Sequence, residues 1–236
     1  MMTATLPAQM VVAGLEFTVR TSANRQTVGI TVDRDGALLL HAPAGCSESM
    51  LAAWAHGKRT WVYRKLAEKD LLLAPPARKQ FISGEGFDYL GRRYRLLLVD
   101  NGTGVRLDRG RLQLPRALVP DAPSKVIGWY RARARQWLPA RIRPWANRMG
   151  ARPGELDVRD LGYRWGSLSK DGRLNLHWAT MQLPATLVDY VIVHELAHFA
   201  HPNHTPEFWS SVSRAMPDYE SRKSRLAHAG SRLWLG

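Results

Sequence analysis

Apolar and polar positions in the first half of the chain alternate with a period of two, and the alternation is broken by turn clusters. "TVGITVDRDGALLLHAP" (residues 27–43) places two apolar, β-branched runs around Asp33-Arg34-Asp35-Gly36, which predicts a hairpin. "FDYLGRRYRLLLV" repeats this around Gly91, and "VRLDRGRLQLP" repeats it around Gly110. Between the first hairpin and these two, Leu51, Trp54, Trp61, Val62 and Leu66 follow helical spacing behind a serine start, with Gly57 as a weak point. Residues 76–80 and the stretch "ALVPDAPSK" read as connections. From Ser124 to Gly150 the period is helical, and Pro139 and Pro144 predict a kink or a split into two helices. "LDVRDLGYRWGSLSKDGRLNLHWATM" returns to strand chemistry, with a turn at Lys170-Asp171-Gly172-Arg173. From Pro184 to Ala200 a nearly continuous apolar run predicts a buried helix. The expected class is α+β, with a β-hairpin-rich region at 12–118 that carries one helix, followed by a second domain at 119–236. No internal repeat or low-complexity segment is visible.

Composition narrows the function classes. A chain of 236 residues, 45% hydrophobic with nine tryptophans, can bury a sizeable core. Cys46 is the only cysteine, which rules out an intramolecular disulfide framework and suits a reducing compartment. The first residues lack the cationic start and apolar region of a secretory signal, and no run approaches the roughly 18 apolar residues of a membrane span. The expectation is a cytoplasmic protein with no membrane partner. The net charge is +14, from 27 arginines and seven lysines against 20 acids. Such a field attracts DNA or other nucleic acid, anionic membrane surface or acidic partners, although arginine as plain surface charge accounts for it equally well.

Chemistry concentrates in "DYVIVHELAHFAHPNHTPEFW" (189–209), where four histidines and a glutamate interrupt the apolar run. His194 and His198 lie four apart, so a helix projects both from one face toward a single cation. Glu195 completes H-E-x-x-H, in which a carboxylate stands beside a metal without binding it. For the third ligand, a continued helix carries His201 roughly 10 Å along the axis from His194, too far to share an ion with it. Pro202 ends the helix, Pro202-Asn203 suit a reversal, and His204 then points back toward the first two. His201 is expected to be an ordinary polar residue.

Three imidazoles and a carboxylate in so apolar a setting are costly unless an ion joins them. A purely structural zinc usually has four protein ligands and often cysteine, and Cys46 is remote in sequence. Three ligands leave a position open for water. Zn2+ there lowers the pKa of water and polarises a carbonyl, while Glu195 takes the proton and passes it to the leaving amine. The expected reaction is therefore peptide-bond hydrolysis of a protein or peptide substrate. Tyr163, Arg164 and Tyr219 are of the right type to steady an oxyanion, and each is equally at home in packing or on the surface.

The runs "RWGSLS" (164–169), "LNLHW" (174–178) and "DYVIVHELAHFAHPNHTPEFW" resemble the YgjP-like family of zinc metallopeptidases, relatives of the SprT-like proteases. "KRTWVYRKL" and "GEGFDYLGRRYRL" extend the resemblance over nearly the whole chain. It implies a zincin-like domain in which the active-site helix packs under a small antiparallel sheet, with His194, His198 and His204 as metal ligands and Glu195 as general base. Leu168 stands where family members commonly carry cysteine, a position given no ligand role. In zincins the strand beside the helix holds an extended substrate. Here "GYRWGSLS" or "LNLHW" would supply it, and Asn175, Trp165 and Trp178 belong either to that cleft or to the core. "PEFW" is expected to start a closing helix, with Phe208 and Trp209 on the active helix and Glu207 a possible partner of His204. Two rival classes remain. Three-histidine zinc endoribonucleases share the ligands but place glycine at the position of Glu195. A basic nucleic-acid-binding module would use the metal only to hold its fold, and a DNA-stimulated protease would join charge and motif.

Overall fold

The computed structural model describes all residues except 1–5, 34–36, 71–78, 163, 231, 232 and 235, and the side chains of 64 and 67–70. The chain divides into two compact units, residues 1–73 and 74–236. In the first, β1 (Gln9–Val12), β2 (Leu15–Ser22), β3 (Gly29–Val32) and β4 (Leu38–Pro43) form a sheet in the order β1-β2-β4-β3. The expected hairpin is present as the antiparallel pair β3–β4, although its turn at 34–36 lies outside the described residues. A second hairpin, β1–β2, turns through Ala13 and Gly14, both at positive φ. Alternate residues of the strands, Met10, Val12, Leu15, Phe17, Leu38 and Leu40, enter a core closed by Leu51, Ala55 and Val62. The last three come from α1 (Glu48–Gly57) and α2 (Arg59–Asp70), which break at Gly57 as expected. Ser47 caps α1 by accepting a hydrogen bond from the Met50 amide.

The second unit opens with β5 (Gly86–Tyr89), β6 (Arg92–Val99), β7 (Arg106–Asp108) and β8 (Arg111–Pro115), ordered β5-β6-β8-β7. The expected turns at Gly91 and Gly110 pair each glycine with a positive-φ neighbour, Leu90 or Arg109. This sheet does not share the N-terminal core. Phe87, Leu96, Leu112 and Leu114 pack in one core with the helices that follow, so the boundary falls near residue 73 and not at 118. Hairpins look alike in sequence, and the pattern does not say which core a strand face enters.

The expected split of the next helix does not occur. α3 runs unbroken from Ala122 to Met149 and ends on Gly150 in the left-handed region. Pro139 and Pro144 sit on its exposed side, where water takes up the freed carbonyls. Val126, Tyr130, Ala134, Leu138, Ile142 and Ala146 bury the opposite stripe. A three-stranded sheet follows, ordered β10-β11-β9, from β9 (Leu156–Arg159), β10 (Gly166–Leu168) and β11 (Leu174–His177). It is mixed and not wholly antiparallel: β10 and β11 form the expected hairpin, whereas β9 joins β11 in parallel. The segment after β9 carries the chain past β11 to its far side before the hairpin brings it back.

Then come α4 (Ala185–Ala197), α5 (Pro206–Ala215) and α6 (Tyr219–Gly230). Two contacts fix α4. At Gly91 a Cβ would lie 2.9 Å from Pro184 Cα, so only glycine lets the β5–β6 turn sit against the start of the helix. Arg141 on α3 grips Asp189 with two hydrogen bonds of 2.6 and 2.7 Å. No helix among the described residues is long and apolar enough to cross a membrane.

Candidate metal centre

α4 is buried on all sides from Leu187 to Val193, with Asp189 paired to Arg141 inside that stretch, and its histidines and its unpaired carboxylate come in the last turn. His194 and His198 bring their ring centres to 5.2 Å. Past His198, the His201 amide still donates to the Ala197 carbonyl, and Pro202 and Asn203 then reverse the chain. His204 returns to 4.9 Å from His194 and 4.8 Å from His198, ring centre to ring centre. One nitrogen from each of the three lies within 4.8 Å of the others, and Nε2 of His194 and His204 are 2.9 Å apart. Among the described residues no other His, Cys, Asp or Glu cluster has this form.

The surroundings fit a cation. Burial, followed by the neighbouring His204, His198 and Lys223, pulls the His194 pKa down to about 3. Burial, His198 and Lys223 also lower that of His204. Both rings are therefore neutral near pH 7, the form that offers a lone pair to a metal. His198 donates from Nδ1 to the His201 carbonyl at 3.1 Å, which leaves Nε2 as its free donor atom. His201 thus contributes its backbone, and its ring stands outside the cluster, as expected. The Phe208 ring lies 4.6–5.0 Å from all three imidazoles and forms an apolar floor beneath them.

Glu195 is 6% exposed, and burial lifts its carboxyl to about 7 against the opposing charge of Arg164. No hydrogen bond or ion pair engages it among the described residues. It lines, with the three histidines, a cleft of about 800 Å³ whose other walls include β10 and α6. Gly166 of β10 abuts it: a Cβ there would fall 2.7 Å from Glu195 Cγ. Gly166 from the "RWGSLS" run, the α4 residue Tyr190, and Lys223 of α6 also line the cleft, and none of the three stands out by itself in the sequence as a site residue. Their roles depend on elements distant in the chain.

The remaining candidates divide clearly. Arg164, Trp165 and Leu168 line the cleft. Trp178 is buried in the core, and Asn175 is a buried hairpin residue whose amide donates to Ser167. Tyr219 stacks on Trp209 and donates its hydroxyl to Glu220, so it is engaged away from any oxyanion. Glu207 is exposed and held by Thr205, which leaves it no part in orienting His204. Tyr163 lies outside the described residues. Phe208 and Trp209 pack on the active helix from α5, as expected.

Two solved structures overlap part of the chain. The metallopeptidase zymogen of Pyrococcus abyssi abylysin shares 24% identity over 40% of this chain and 96% of its own, with a TM-score of 0.37. The metallopeptidase zymogen of Methanocaldococcus jannaschii jannalysin shares 15% over 39% of this chain and 88% of its own, with a TM-score of 0.35. No curated protein matches the chain. The YgjP-like metallopeptidase domain matches residues 26–229, most of the chain, and the protein therefore belongs to the YgjP-like metallopeptidase family.

Proposed function

We propose that the protein hydrolyses peptide bonds with Zn2+ held by His194, His198 and His204 and with Glu195 as general base. The observation that carries this is the convergence of three imidazoles beside a buried carboxylate without a bonded partner, in a cleft open to a substrate. An ion held there supplies Lewis acidity toward a carbonyl oxygen and lowers the pKa of water. Glu195 accepts a proton from the attacking water and delivers it to the amine as the C–N bond breaks. Phe208 packs beneath the imidazoles and Gly166 against Glu195, which covers one face of each. β10 pairs with β11 on one side only, and its Gly166, Ser167 and Leu168 line the cleft. An extended peptide can add to that edge and bring its carbonyl toward the histidine cluster, beside Glu195.

The sole cysteine, Cys46, is consistent with a cytoplasmic place of work. The charge of +14 supports a general attraction to nucleic acid, without indicating a site for it. The test is zinc content together with peptide and RNA cleavage, in the wild type and in Glu195→Gln. The variant is expected to keep its zinc and lose peptide cleavage. Retained peptide cleavage, or RNA cleavage alone, would overturn the proposal.

A further inference from the structure

The walls of the cleft are positively charged. Arg164, Lys170 and Lys223 line it, and Glu195, which the reaction requires, is the one acidic side chain among its lining residues. Lys223 lies against an aromatic stack. Its Nζ stands 4.2 Å over the Trp209 ring, and Trp209 in turn stacks on Tyr219 at 5.6 Å and 22°. The same Trp209 ring lies 5.7 Å from His204 and 5.9 Å from His194, so the ammonium stands one ring's width from the histidine cluster.

The acids of its own helix and of the residue before it are engaged elsewhere. Glu220 accepts from the Tyr219 hydroxyl, and Asp218 accepts from Arg222 at 2.8 Å. Lys223 makes no ion pair among the described residues. An exposed ammonium laid over Trp209 without an ion pair among the described residues, with apolar Leu226 and Phe199 in the same cleft, suits an anion. An extended peptide advances about 3.3 Å per residue, so a side chain one or two residues from the cleaved bond reaches it.

We propose that Lys223 forms a carboxylate subsite in the cleft, so that preferred substrates carry a carboxylate within one or two residues of the bond cut. The carboxylate comes from an Asp or Glu side chain or from a free chain end. This rests on the peptidase function proposed above. In the ground state the acid pairs with the ammonium and adds uniform binding, so its effect belongs mainly in KM.

The experiment uses zinc-loaded protein and matched peptides with Glu or Gln on either side of the cleaved bond, each with a free or an amidated C-terminus. The wild type is expected to prefer the carboxylate by about tenfold in kcat/KM, with the preference shrinking as salt rises. In Lys223→Met that ratio falls toward one, and in Lys223→Glu it turns toward lysine peptides. A preference that follows the side chain assigns the subsite to Asp and Glu; one that follows the free terminus assigns it to chain ends. Equal cleavage of all four peptides, or a preference that survives in Lys223→Met, would overturn it. Binding of a labelled Glu peptide, read by anisotropy on metal-free wild type and Lys223→Met, decides the matter even if no peptide is cut. Equal affinity there would overturn the subsite, whereas absent cleavage with Lys223-dependent binding would overturn only the peptidase reading.

Discussion

α4 carries two buried carboxylates six residues apart, and they have opposite fates. Asp189, 3% exposed, is held by Arg141 through two short hydrogen bonds, with Arg222 4.0 Å away. Glu195, 6% exposed, has no such partner, and its carboxyl is pushed up to about 7. A buried charge that is paired and hydrogen-bonded joins helices, whereas one without an ion pair gains and gives up its proton near neutrality and is available to chemistry. The first ties α4 to α3. The second lies where α4 meets the cleft, and the helix is anchored away from the residues that need an open side.

The largest break in this contrast comes from Glu195→Gln, which keeps the shape and removes the base. Peptide cleavage should fall by about 10²–10⁴-fold, the usual worth of a general base, while thermal stability does not drop. Arg141→Met sharpens the other half. It strands Asp189 in the core, so unfolding should cost about 3 kcal/mol less, a fall of about 6–12 °C in Tm by thermal denaturation. The folded fraction should keep its turnover. Gly166→Ala sets a methyl group against Glu195 and should reduce kcat by about 10–100-fold with zinc retained, because small misplacements of a reacting group cost that much.

The contrast also sets the pH dependence of metal-free protein. Glu195 has its folded pKa raised from 4.5 to about 7, so the native state holds the proton more tightly than the unfolded chain. The Glu195 contribution to stability therefore falls as pH rises from about 4.5 to about 7, by a total on the order of 3 kcal/mol, while the lowered His194 and His204 act in the opposite direction in both the wild type and the variant. Denaturant titrations of metal-free wild type should show this loss relative to Glu195→Gln, and parallel pH profiles would contradict it.

The histidine cluster was legible because it is local. A four-residue spacing on one helix and a proline-asparagine reversal place three imidazoles together with no help from distant elements. Gly166 and Tyr190 lie in the runs that carry the family resemblance, but their place beside the cluster, like that of Lys223, depends on β10, α6 and the burial of α4, which no local spacing shows. The fold divides in the same way. Gly91 and Gly110 announce their hairpins, but β1–β2 turns through Ala13 at φ 53°, a residue that does not advertise positive φ. The parallel partnership of β9 with β11 and the packing of β5–β8 with the later helices are long-range choices that alternation leaves open. The prolines of α3 left a kink and a split both open, and the split does not occur because their cost depends on which side of the helix meets water.

Counting zinc per chain by elemental analysis after dialysis, in the wild type, His204→Ala and His201→Ala, tests the central claim most directly. Alanine at 201 keeps the carbonyl that orients His198, so that variant should hold one zinc per chain like the wild type, whereas His204→Ala should lose it. Zinc retained without His204, or lost on removal of the His201 ring, would contradict the three-histidine centre.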